Sequence, residues 1–158
     1  MIANIIQVFA TAFSVYALSM FGRRGLILFG NFSLGILDII MAVMFLLVYV
    51  SGFKQGIYIV LGCIFLFMIS YGVTIGPAVW LYVPEIIPAK MVPPATFMNW
   101  LGCSICVIAT PFITNAVGSP YPVFFIFGGV TILFGLINWF NVIETKGLTT
   151  GEIKEKFK

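Results

Sequence analysis

Five apolar stretches constrain this chain more than any other feature. They cover residues 2–21, 26–50, 57–83, 97–117 and 121–142. Each is near the roughly 20 residues that a helix needs to cross hydrocarbon. Strands do not fit, because the runs are too long and lack the period-two alternation of a membrane barrel. Only 8% of the residues are charged, against about a quarter in a soluble domain, so the stretches suit hydrocarbon rather than water. The breaks carry turn chemistry: Gly22-Arg23-Arg24-Gly25, Ser51-Gly52, Pro84 to Pro94, and Gly118-Ser119-Pro120. The expected architecture is all-α, a polytopic membrane bundle over residues 1–143 with a polar tail, 144–158, in solvent.

Basic residues then set an orientation. Arg23 and Arg24 follow the first stretch, Lys90 the third, and Lys146, Lys154, Lys156 and Lys158 the fifth. Lys54 lies on the opposite side. The positive-inside rule places the first group and the C-terminus in the cytoplasm and the N-terminus outside. Met1 leads directly into an apolar helix, without the basic segment or small-residue cleavage site of a signal peptide. An odd number of spans entered from outside is expected of a chain that starts partway through a larger protein.

Several functions are disfavoured. Eight Lys and Arg against five Asp and Glu give a dispersed +3, too little for a nucleic-acid surface. There is no His, the commonest general base and metal ligand. Cys103 and Cys106 form a C-x-x-C with apolar flanks, which reads as packing rather than redox or metal chemistry. No phosphate-cradling glycine loop and no deep acid pair is evident, so neither a cofactor nor an enzyme is expected.

Polar side chains within the stretches are the functional candidates, since unpaired polar groups in hydrocarbon are costly. Asn4, Gln7, Thr11 and Ser14 recur at helical spacing on one face of the first stretch. Asn99, Cys103, Cys106 and Thr110 do so in the fourth, with Trp100 as an interface anchor and Pro111 as a kink. Such stripes either bond a neighbouring helix or line a wet cavity. In the third stretch, Tyr71 and Trp80 would point to opposite faces of a straight helix. A break at Gly76-Pro77 would either turn both toward one cavity, as broken membrane helices do at binding sites, or be a plain packing kink with Gly72 and Gly76 as a small-residue helix contact. Asp38 lies mid-span with no base within a turn and reads as a packing residue.

Four segments in order carry a resemblance. They are Gly22-Arg23-Arg24; the run from Gly76-Pro77 through Trp80 and Glu85 to Pro88-Ala89-Lys90; Asn99-Trp100; and Glu144-Thr145-Lys146-Gly147. Together they resemble the sugar porter family of the major facilitator superfamily, which includes facilitative hexose carriers and sugar–proton symporters. The resemblance implies a transporter fold in which these stretches are helices eight to twelve of twelve. The N-terminal half and the seventh helix would be supplied from elsewhere.

It also implies roles. Sugar contacts would fall on Gln7, where the family commonly has Asn, and on Trp80 and Asn99. Tyr71 would add an aromatic wall. Gly72 departs from a Glu found in some animal carriers. Arg23, Arg24, Glu85 and Glu144 would form ion pairs that close the inner side. Ser19, Met20, Val92 and Ile143 depart from the usual pattern around those motifs, which implies a weaker gate. The implied partners are a hexose-like sugar and the bilayer, most simply the plasma membrane. The implied mechanism is alternating access, with this chain inactive alone. The competing expectation is a non-transporting relative that packs with itself or a partner.

Overall fold

A computed structural model describes residues 2–156, apart from a few side chains near the termini. The described chain is helical throughout its ordered elements. In order these are α1 (Ile2–Ser51), α2 (Gly56–Val73), α3 (Ile75–Ile86), a 3-10 turn (Ala89–Met91), α4 (Val92–Val117), α5 (Tyr121–Asn141) and α6 (Thr150–Lys156). Among the described residues, four stretches are long and apolar enough to cross a membrane: Ile5–Ser51, Gly56–Ile86, Ala89–Val117 and Tyr121–Asn141.

The first of these is two helices in one. At 1.5 Å per residue, α1 would run about 75 Å, more than twice a hydrocarbon core. It is interrupted at Gly22, with φ 74° and ψ 177°, a region open essentially to glycine alone. Ala17 and Leu18 from the first arm pack with Leu26 and Ile27 from the second, so the chain reverses there. The expected Gly-Arg-Arg-Gly loop is therefore a one-residue hinge. Arg23 and Arg24 already belong to the second helical arm.

Two other boundaries differ from expectation for reasons of proline chemistry. The third stretch breaks at Thr74 (φ −110°, ψ −98°), not at Gly76-Pro77. Pro77 thus falls in the first turn of α3, where a missing N–H costs little. Thr74 satisfies the break locally, since its N–H and its hydroxyl both donate to the Ser70 carbonyl, at 3.0 and 2.6 Å. α3 then continues through Pro84 to Ile86. α4 begins at Val92 rather than Phe97, because Pro93 and Pro94 also occupy a first turn. It runs unbroken through Pro111 to a left-handed cap at Gly118.

The second arm of α1 is the spine. It packs along α2 on one side and α5 on the other. One apolar cluster, with Ala17, Leu18, Leu26, Ile27, Ala78, Tyr82 and Val142, closes the end that carries the charges. Another, built on Met41, Val60 and Cys63 and backed by Phe45 and Phe124, closes the opposite end. α4 contrasts with both: it leans mainly on α5, and none of its residues is buried. Most described residues of the tail are exposed, but two of them anchor it to the bundle. Thr145 is 3% exposed, and Ile153 of α6 is also buried.

Candidate functional site

Two adjoining concavities flank the α2–α3 break. The larger, about 440 Å3, lies between α3 and α4 and is lined by Trp80, Val83, Thr96, Asn99, Trp100 and Cys103, among others. The smaller, about 240 Å3, lies between the first arm of α1 and the break, and Gln7, Thr11, Gly72, Pro77 and Trp80 line it. Tyr71, Gly76 and Trp80 belong to both. The break at Thr74 is what sets Tyr71, from α2, and Trp80, from α3, on a shared rim. Gln7 and Asn99 therefore stand on opposite sides of one aromatic divider, each in its own concavity.

The polar stripes divide in the same way. Gln7 and Thr11 line the smaller concavity, whereas Ser14 is buried and donates to its own helix at the Thr11 carbonyl, 2.6 Å away. The side chain of Asn4 lies outside those described. On α4, Asn99 and Cys103 line the larger concavity. Thr110 bonds back to the Cys106 carbonyl at 2.7 Å. Cys103 and Cys106 are both exposed on α4, whereas Cys63 is buried. Asp38 is buried against Gly128 of α5, consistent with a packing residue.

The amides discriminate further. Asn31 and Asn141 donate to carbonyls four residues back in their own helices, at 3.0 and 2.7 Å. Gln7 and Asn99 have no hydrogen bond among the described residues. Each free carboxamide can both donate and accept. Gly72 gives the first its space, because a Cβ there would lie 2.9 Å from Gln7 Nε2 and 2.8 Å from Ala10 Cβ.

The charged end is built differently. Arg23 Nη2 donates to Glu85 Oε1 at 2.9 Å, in a pair whose side chains are 23% and 28% exposed. The other Glu85 oxygen accepts the Thr145 hydroxyl at 2.5 Å. Glu144 pairs with neither arginine side chain. Its carboxylate accepts the backbone N–H of Arg23 at 3.0 Å and of Arg24 at 3.1 Å. It thereby caps the second arm of α1, where unpaired amides favour an anion. The Gly22 hinge leaves it room, since any Cβ at that position would overlap the carboxylate. Arg24 instead donates to the Trp139 carbonyl at 3.0 Å. Among the described residues, the four side chains expected in ion pairs thus make one ion pair, one helix cap and one arginine-to-carbonyl bond.

Sequence reasoning missed Tyr82, whose hydroxyl accepts the Ile143 N–H at 3.1 Å, and Thr145 on Glu85. A tyrosine or threonine between apolar and charged segments is too common to single out. Arg23 Nε and Arg24 Nε are buried without a hydrogen-bond partner.

The fold is a bundle of helices long and apolar enough to cross a membrane. The chain superposes on the inward-open xylose transporter XylE from E. coli with a TM-score of 0.78, at 23% identity, over 98% of this chain and 34% of that one. Residues 1–157 match the family described as Sugar (and other) transporter, and the chain belongs to that family. It is 34% identical over 157 residues to facilitated glucose transporter member 2 of Mus musculus, covering 97% of this chain and 29% of the relative. It is 31% identical over 165 residues to the high glucose sensor RGT2 of Saccharomyces cerevisiae, covering 93% of this chain and 20% of the relative. The chain therefore spans less than a third of these relatives' length.

Proposed function

We propose that this chain is one wall of an alternating-access sugar carrier, with a neutral hexose-like sugar meeting Gln7, Tyr71, Trp80 and Asn99. The observation that carries this reading is where the unpartnered carboxamides lie: Gln55, Asn115 and Asn138 also lack a side-chain hydrogen bond among the described residues, but they line neither concavity. Gln7 and Asn99 are left without partners beside a shared aromatic rim, while Asn31 and Asn141 are satisfied by their own helices. Free amides suit hydroxyls, and an indole face suits the C–H side of a sugar ring. No bond is made or broken, so no catalytic group is required.

The charged end is the inner gate. Positive-inside placement puts it in the cytoplasm, and the plasma membrane is the simplest location. Arg23 with Glu85, and Glu144 on the Arg23 and Arg24 amides, hold the α1 hinge against α3 in one state of the carrier. Parting them biases the balance between inward- and outward-facing states. The wall needs an opposing wall. α4 buries nothing, and Phe112 on it is 73% exposed, so further helices complete the cavity. The chain alone does not transport. Reconstituted by itself in liposomes, it takes up no hexose above the lipid background. Saturable hexose uptake by the chain alone would overturn this reading of an incomplete carrier.

The exposed α4 also supports a second reading, a non-transporting bundle that packs with itself or a partner. Cross-linking of α4 to a second copy in liposomes would favour it. Capture of α4 by the preceding helices of a longer carrier would favour the first.

A further inference from the structure

After α5 the chain runs extended across the charged end. Four successive residues grip other elements there. The Ile143 N–H donates to Tyr82 Oη on α3. The Glu144 carboxylate accepts the Arg23 and Arg24 amides. The Thr145 hydroxyl donates to Glu85 on α3. Lys146 Nζ donates to the Met20 carbonyl at 3.3 Å, and its N–H donates to Glu144 Oε1 at 2.9 Å. Neighbouring residues of this strap thus hold two different moving parts, the Gly22 hinge and α3.

We propose that Thr145 is the positioning residue that couples the Gly22 hinge to α3. The inference rests on the gate reading above and goes beyond it, because it assigns the coupling to a neutral hydroxyl outside the ion pair. A glutamate carboxylate turns easily about its last torsion, which is broad and roughly two-fold. With only Arg23 as partner, the Glu85 carboxylate can swing. Thr145 holds the second oxygen at 2.5 Å, within the short range of charge-assisted O–H···O bonds. That contact fixes the plane of the carboxylate toward Arg23 and ties α3 to the strap. The same strap carries Glu144, one residue earlier, on the hinge amides. Thr145 is 3% exposed, so water does not replace its hydroxyl. Without the hydroxyl, Glu85 keeps Arg23 but loses the strap, and Glu144 is held less firmly over the hinge.

The test is hydrogen exchange of individual backbone amides in the full 158-residue chain, in lipid nanodiscs without sugar. In Thr145→Val, the amides of Arg23, Arg24 and Lys146 exchange about tenfold faster, as expected when a hydrogen bond to a charged group is lost. Thr145→Ser, which restores the hydroxyl, keeps the original rates. Thr149→Val, which removes the Thr149–Glu152 bond at the start of α6, leaves the Arg23 and Arg24 amides unchanged. Glu85→Leu is an independent check. Arg24 does not touch Glu85, yet its amide accelerates if the strap transmits the loss. Unchanged Arg23 and Arg24 exchange in Thr145→Val, or Thr145→Ser behaving like Thr145→Val, overturns the proposal. So does Glu85→Leu with an unchanged Arg24 amide. No sugar enters the measurement, so its failure is distinguishable from failure of the carrier reading.

Discussion

At the charged end, all four carboxylate oxygens of Glu85 and Glu144 have donors from within the chain. Across the two concavities, the carboxamides of Gln7 and Asn99 have none among the described residues. The two regions stand at opposite ends of one design problem. Polar groups in a membrane must be satisfied or lie beside water or solute. The charged end solves this internally and closes on itself. The concavities leave their polar groups facing outward, on a side where α4 buries nothing. One region is a finished lock; the other is a surface awaiting an occupant and an opposing wall. The lock is not perfect, since Arg23 Nε and Arg24 Nε are buried without partners. That shortfall lowers the free energy needed to open it.

The largest effect on the lock should come from Gly22→Ala. The backbone there is glycine-only, which costs a substituted residue about 1–3 kcal/mol, and the added Cβ would also displace the Glu144 carboxylate. We expect a clear fall in the unfolding midpoint in detergent, with the Arg23 and Arg24 amides losing exchange protection. A midpoint equal to wild type would show that the hinge geometry is not required.

Glu85→Gln comes next. It exchanges an ion pair with Arg23 for a weaker neutral contact, and hydrogen bonds to charged groups contribute about 1.5–3 kcal/mol. We expect destabilisation toward the low end, because the pair is about a quarter exposed and solvent screens it. In a carrier that contains this chain, the inner side should become more accessible to an impermeant thiol reagent at an engineered cysteine. Unaltered labelling would separate the pair from gating.

A matched pair of substitutions sharpens the comparison. Asn31→Ala removes a satisfied, buried amide and should cost about 1 kcal/mol. Asn99→Ala removes a free, exposed one and should change stability by less than about 0.5 kcal/mol. Equal losses at the two sites would mean that Asn99 has a structural partner. Gly72→Ala acts on the first arm of α1: the added Cβ would lie 2.8 Å from Ala10 Cβ as well as 2.9 Å from Gln7 Nε2, so that arm must shift. We expect a lowered unfolding midpoint together with weakened sugar binding in a carrier that contains this chain, and a midpoint equal to wild type would show that the close approach is not required.

The sequence made the helical class and the bilayer-length stretches legible because hydrophobic length is a strong, local signal. It also flagged Gln7, Tyr71, Trp80 and Asn99 as polar or amphipathic groups at membrane depth, and the structure places them around adjoining concavities. What it blurred was backbone detail. Gly22-Arg23-Arg24-Gly25 looks like a loop in sequence, but a single positive-φ glycine suffices to turn the chain. Pro77, Pro93 and Pro94 look like breakers, yet each sits in a first helical turn. Contacts between distant segments were least legible. Glu144 as a helix cap and Thr145 on Glu85 join residues at least sixty positions apart, and no local pattern encodes such a meeting.

The central claim is that the open face carrying Trp80 and Asn99 meets sugar once an opposing wall is present. It is tested most directly by joining this chain to the part of the mouse glucose transporter that precedes the matched region, and measuring radiolabelled glucose uptake in liposomes. The account predicts saturable uptake by the joined carrier. It further predicts at least a tenfold loss of kcat/KM in Trp80→Ala and in Asn99→Ala, about 1.4 kcal/mol of lost stabilisation each, with insertion unchanged. Uptake of the same efficiency in both variants would contradict it.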